Sequence, residues 1–224
     1  MASELLYISG SWVCPARVFS VQVECWGAGG STDGGYLGGL PCGGAGGGAY
    51  AKKTVPVTPG VSYSYVVADG VNTLDTYWVN ASTVMAKGGG YCTDFSGAPG
   101  GDASQCVGDV RYSGGSGGSA TQQGEFEIID TPGGGGGGAG SNGNGGHACD
   151  YVGGSGTAEY GGNGGSVVEP AGLPYGGGAC GCYEDIEYGC QGLIRITYEV
   201  TPINDHSFQA SSRGMFCGTF RKMR

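Results

Sequence analysis

The sequence predicts a mainly β protein. The expected fold is an antiparallel, sandwich-like β scaffold with glycine-rich blocks packed as polyglycine, polyproline-II-like helices. Three observations carry this. Glycine supplies 53 of 224 residues, about 24% against a usual share of about 7%. Of those glycines, 47 fall in three blocks, 27–48, 88–118 and 133–192. In the glycine-poor stretches between the blocks, apolar residues recur at every second position, the period of a strand.

Taken along the chain, Leu5 to Ile8 is the first β-type stretch. Val21, Val23 and Cys25 then alternate with Gln22 and Glu24, which places Cys25 on the inward face. Tyr50 to Val57 follows. Val61, Tyr63, Tyr65 and Val67 alternate with Ser62 and Ser64, and Tyr77 to Met85 and Glu125 to Ile129 are further stretches of this type. Ile194, Ile196, Tyr198 and Val200 alternate with Arg195, Thr197 and Glu199 to close the set. No segment has the 3.6-residue period of a long amphipathic helix.

The glycine blocks admit three readings. Gly/Ser tracts commonly serve as flexible linkers. A collagen triple helix needs glycine at every third residue; Gly140, Gly143 and Gly146 obey that rule, but it fails within a few steps. In the third reading, extended polyproline-II-like segments lie side by side and pair their N–H and C=O groups laterally, as buried backbone must. The length of the blocks and their return to patterned strands favour packed segments over a 60-residue structureless loop of the kind compact domains avoid. Gly133, Gly135 and Gly136, in the run launched by Pro132, are the positions where such packing leaves least room for a side chain.

Composition bounds the function. Charged residues are 13% and the net charge is −9, so charge-driven disorder is not expected. No apolar run approaches the roughly 18 residues of a membrane span, and residues 1–14 lack a signal peptide's basic and apolar regions. An acidic body argues against nucleic acid as a partner. Several G-x-G-x-x-G matches, such as Gly176, Gly178 and Gly181, are expected by chance at this glycine content and lack the strand, helix and acidic residue of a dinucleotide site. No Walker A motif precedes any lysine. His147, near Cys149, has no orienting third group, so neither a catalytic residue nor a cofactor is assigned, and no enzymatic activity is expected.

Ten cysteines leave two readings open: disulfide staples for a thin core, or thiols acting as small apolar side chains, the reading that Cys25 favours. Cys180, Cys182 and Cys190 lack the paired units of a zinc site, and no metal ligand is assigned. Tyr36, Tyr91, Tyr112, Tyr151, Tyr160, Tyr175 and Tyr183, with Tyr188, sit inside glycine blocks. Tyrosine among Ser, Gly and Asn is the composition of recognition surfaces; the same rings also suit shielding a glycine bundle. The chain divides into a glycine-rich β domain, 1–200, and a basic C-terminal tail, 201–224. The tail is net +3, leaving −12 on the body. Arg213, Phe216, Phe220, Arg221, Lys222 and Arg224 make it a candidate anchor.

The order of motifs resembles a known family. Gly10-Ser-Trp12-Val-Cys-Pro15-Ala-Arg-Val18, then Val21-Gln-Val23-Glu-Cys-Trp26-Gly27-Ala-Gly29-Gly30, resembles the opening of the glycine-rich domain of tailed-bacteriophage virion proteins. Gly46-Gly-Gly-Ala-Tyr50-Ala51, Pro59-Gly60-Val-Ser-Tyr63 and Gly192-Leu-Ile194-Arg-Ile196-Thr-Tyr198 follow in the family's order. The resemblance implies structural roles for Trp12, Trp26, Ile194, Ile196 and Tyr198. It implies a tail-fibre tip or similar appendage on the virion exterior, assembled in the host cytoplasm beside other virion proteins, with loops at one end contacting a host receptor or glycan. A homotrimer is expected, because such appendages are mostly threefold and a thin core invites burial between subunits. A capsid decoration or head-fibre protein without receptor role is the alternative; an ice-binding protein is the third.

Overall fold

The computed structural model describes residues 1–33, 41–71, 75–121, 131–157, 159–181 and 186–202. The expected strand Glu125 to Ile129 and the tail from residue 203 onward, with all six anchor candidates, lie outside the described residues. Among the described residues nine strands form, in chain order: β1 (Ala2–Leu6), β2 (Gly10–Val13), β3 (Ser20–Trp26), β4 (Tyr50–Pro56), β5 (Ser62–Val66), β6 (Thr76–Trp78), β7 (Val84–Ala86), β8 (Val110–Tyr112) and β9 (Leu193–Tyr198). The only described helix is a single 3-10 turn, Ala103–Gln105.

Two antiparallel sheets face each other, one ordered β1-β9-β3-β4-β8 and the other β2-β5-β6-β7. The alternation explains the core between them. Val21, Val23 and Cys25 point inward from β3, and Ile194 and Ile196 point inward from β9, to meet Trp12, Trp78 and Val84 of the opposite sheet. Each such apolar side chain, fully buried, stabilises the fold by about 1.5–3 kcal/mol. Trp78 stacks on Tyr63 and Tyr65, with centroids 5.9 and 6.0 Å away, and Trp12 meets it edge-on at 5.8 Å.

Four strand assignments change. The first strand is Ala2–Leu6 rather than Leu5 to Ile8, and Gly10–Val13 adds a strand that the sequence reading did not assign. Tyr77 to Met85 is a hairpin rather than one strand, because Asn80 folds the chain back. Its Oδ1 accepts from the N–H of Ser82 at 2.9 Å and from the hydroxyl of Thr83 at 3.0 Å, a local side-chain turn that competes with extended pairing. Inside the second glycine block, Val110–Tyr112 forms a short edge strand against β4.

Glycine segments leave the sheets at residues 27, 87 and 113; they come back to the sandwich end of the bundle at 49, at 101 (ahead of the 3-10 turn and β8) and at 192, so the bundle extends from one end of the sandwich. Segment 43–49 shows how it is held. With three residues per turn, its N–H groups point in three directions. Gly44 and Gly47 donate to Gly118 and Gly115, Ala45 and Gly48 to Ala179 and Gly176, and Gly46 and Ala49 to Gly90 and Lys87, all at 2.7–3.0 Å. Its carbonyls face three other segments. Those of Gly44 and Gly47 accept from Ala98 and Gly101, those of Ala45 and Gly48 from Gly136 and Ala139, and those of Gly46 and Ala49 from Gly30 and Gly27. Segment 133–139 repeats the pattern: Gly133, Gly136 and Ala139 donate to Cys42, Ala45 and Gly48, while Gly135 and Gly138 donate to Gly165 and Gly162.

These lateral bonds satisfy the backbone without a sheet, which a linker would not do. They also explain the composition. A Cβ on Gly135 or Gly136 would fall less than 3.0 Å from the backbone of Gly178 or Gly115. Where a methyl group has room, alanine appears: Ala45, Ala98 and Ala179 form a buried apolar seam with Cys92.

Candidate functional site

The bundle has two chemically distinct ends, and the tyrosines divide between them. At the junction with the sandwich, Trp26, Tyr50 and Leu193 are buried beneath Leu5, Val110, Tyr112 and Tyr175. Tyr112 stacks on Tyr50 at 6.0 Å, Tyr160 meets Trp26 edge-on at 5.6 Å, and Tyr175 lies 6.2 Å from Tyr160 and 5.9 Å from Tyr7. Tyr112, Tyr160 and Tyr175 therefore form an aromatic collar that shields the junction. Beneath it, the guanidinium of Arg195 lies over the rings of Trp26 and Tyr160 and donates to the buried carboxylate of Glu24 at 2.6 and 2.8 Å. The Tyr50 hydroxyl donates to the same carboxylate at 2.6 Å. Burial first, and this hydrogen bond second, push the Tyr50 phenol up from its ordinary range.

The far end is built from the turns between outgoing and returning segments. Its level is fixed by the bond from Gly43 N–H to Asp94 O, by that from Gly134 N–H to Asp150 O, and by the bridges Thr32–Cys92 and Cys149–Val152. Tyr91, Tyr151, Val152, Val167, Val168, Ile186 and Tyr188 are all exposed at or near this end. Burial, and then the charge of Asp33, raise the Tyr91 phenol. Asp33, Asp94, Asp150, Glu169 and Glu187 lie there, and the sequence carries no Lys or Arg between Arg111 and Arg195. Of the seven tyrosines proposed for contact, Tyr91 and Tyr151 thus share the far end, Tyr112, Tyr160 and Tyr175 the junction, and Tyr36 and Tyr183 lie outside the described residues.

Every described structural candidate packs inside. Trp12, Trp26, Ile194 and Ile196 are buried, Tyr198 packs against the sandwich core, and Gly133, Gly135 and Gly136 lie inside the bundle. Cys14, Cys25, Cys92, Cys106, Cys149 and Cys190 are free thiols, and burial pushes those of Cys14, Cys25, Cys92, Cys106 and Cys190 up. His147 Nδ1 accepts the backbone N–H of Ser116 at 3.0 Å, so its ring braces two bundle segments. Among the described residues no group of His, Cys, Asp and Glu is arranged to hold a metal ion, and no helix is long and apolar enough to cross a membrane.

Sequence reasoning missed the Glu24–Arg195–Tyr50 cluster. Each residue stands at a polar or neutral place in its own strand, and only the register, which sets Glu24 opposite Arg195 and Trp26 opposite Tyr50, brings them together. The glycine-rich domain family matches the chain over residues 7–199. No curated protein matches the sequence.

Proposed function

This chain belongs to the glycine-rich domain family, and from that premise we propose that it is a non-enzymatic structural protein of a bacteriophage virion. In this reading it is a tail-fibre tip or similar appendage whose far end contacts a host receptor. One observation carries the proposal: a backbone-bonded glycine bundle holds out a cluster of exposed Tyr91, Tyr151, Val152, Val167 and Val168 at the end away from the sandwich. Apolar and tyrosine side chains exposed together on a rigid support are characteristic of an interaction surface. The sandwich end, with the basic tail 201–224, is the proposed attachment to other virion proteins, and three copies assemble there.

The test is binding of fluorescently labelled protein to a panel of bacterial strains, beside a variant with turns 149–152 and 166–170 replaced by Gly/Ser. Strain-specific binding that the variant loses supports attachment. Binding to no strain, or equal binding by both proteins, overturns it and favours a capsid decoration protein without receptor role.

A further inference from the structure

On the flank of the bundle, next to the far end, lies a notch of about 210 Å³ lined by Val152, Ser155, Asn163, Ser166, Glu169 and Leu173 over a floor that includes Gly153 and Gly164. We infer that this notch is a binding site for one neutral hexopyranose ring. The inference rests on the attachment reading only in supposing that the sugar belongs to the host surface.

Five features select that ligand class. The volume is below the roughly 300–1,000 Å³ of pockets that take drug-sized ligands, so it suits a single ring. Its polar groups are set for complementary hydrogen bonding. Asn163 Oδ1 accepts the backbone N–H of Gly156 at 2.7 Å, which leaves the carboxamide NH₂ to donate. Glu169 supplies an exposed carboxylate acceptor, held by the turn in which Ser166 N–H donates to Glu169 O at 2.8 Å and Glu169 N–H donates to Ser166 Oγ at 3.3 Å. A donor and an acceptor on one rim suit adjacent sugar hydroxyls, each of which both gives and takes a hydrogen bond.

The apolar lining is aliphatic, from Val152, Ala171 and Leu173, and suits the C–H face of a pyranose; an aromatic ligand would find no ring to stack on. The lining carries Glu169 and no cation, in a stretch without Lys or Arg from residue 112 to 194, so sugar acids and phosphosugars are repelled. The glycine floor lets the ring approach the backbone, and that backbone is fixed by the bond from Gly164 N–H to Gly154 O at 2.9 Å.

The test is saturation-transfer NMR on the full chain with D-glucose, D-galactose, D-mannose, N-acetyl-D-glucosamine and, as the charged control, D-glucuronate. A ligand of this size with few contacts binds with a dissociation constant on the order of 1 mM. At least one neutral sugar is expected to show transfer, glucuronate none, and Glu169→Gln to weaken binding about tenfold. That substitution preserves shape on an exposed turn, so an unchanged melting curve verifies the fold. Asn163→Asp gives a second reading: it replaces the donor by an acceptor and is expected to abolish transfer. No transfer from any neutral sugar, equal transfer from glucuronate, or unchanged binding in both variants overturns the inference. Strain binding without sugar binding removes the notch and leaves attachment standing; sugar binding at the notch without strain binding does the reverse.

Discussion

Glu24 and Arg195 stand opposite one another on adjacent antiparallel strands, separated by 171 residues in sequence and joined by two charge-assisted hydrogen bonds of 2.6 and 2.8 Å. The carboxylate is almost wholly buried, while the guanidinium retains about a fifth of its exposure. The pair fixes the register of β3 against β9 at the level where the sandwich meets the glycine bundle. A slip of one residue by either strand would turn that strand's charge into the apolar core and leave the other without its partner.

Removing one partner should therefore cost more than removing both. Glu24→Gln leaves Arg195 with only the exposed carboxylate of Glu159, 3.6 Å away, as counter-charge, and is expected to destabilise by about 2–4 kcal/mol, somewhat under the range for a fully buried pair because Arg195 keeps some solvent and this second partner. The double change Glu24→Gln with Arg195→Met should recover part of that loss. Urea unfolding of the three proteins checks it, and additive losses in the double variant would contradict the pairing.

The close packing of the bundle separates two glycines that look alike in sequence. Gly136→Ala places a methyl group against the backbone of Gly115 and is expected to cost about 1–3 kcal/mol. At Gly143 the nearest atom to an added Cβ is Thr157 Cγ2 at 3.9 Å, so Gly143→Ala should be neutral or stabilise by about 0.4–1 kcal/mol through the unfolded chain. Thermal melting distinguishes them, and equal shifts would show that position 136 is not packed.

Alkaline pH should weaken the fold through Tyr198. Its hydroxyl donates to Glu4 Oε1 at 2.6 Å, and that bond, aided by burial, pushes the phenol from 10.0 up to about 12. A folded-state value raised above the unfolded one gives stability that is whole below about pH 10 and is lost as the pH climbs towards about 12. Tyr50 shifts in the same direction. The urea midpoint should fall across this window in the wild type and fall less in Tyr198→Phe; identical profiles would remove Tyr198 from the account.

Thiol reactivity should follow burial. Cys149 is exposed on a far-end turn, and Cys25 is enclosed between the sheets with its thiol pushed up by desolvation. Iodoacetamide on the native protein, followed by peptide mapping, should label Cys149 and reach Cys25 only after unfolding. Native labelling of Cys25 would mean that the sandwich opens readily.

The strands around the core were legible because Val21, Val23 and Cys25, or Ile194 and Ile196, alternate over enough positions to show period two. β8 was not, since Val110–Tyr112 is too short for a period to show and sits among glycines. The turn in 77–85 hid because Asn80 acts through a side-chain hydrogen bond, without a glycine or proline to mark it. The site was half legible. Tyrosines stood out against glycine, but Tyr151 and Tyr160, nine residues apart, lie at opposite ends of one segment and its connections, and composition does not tell which end is which. Glu24 and Arg195 were invisible as a pair because nothing local links them.

Amide hydrogen exchange across the glycine segments tests the central claim most directly: that they are laterally bonded helices. The amides of 43–49 and 133–139, all donating to neighbouring segments, should exchange with protection close to that of the core strands, while those of the turn residues Ser141 and Asn142 exchange freely. Fast exchange throughout 43–49 and 133–139, with β3 and β9 still protected, would contradict the bundle and leave the glycine blocks as linkers on a β sandwich.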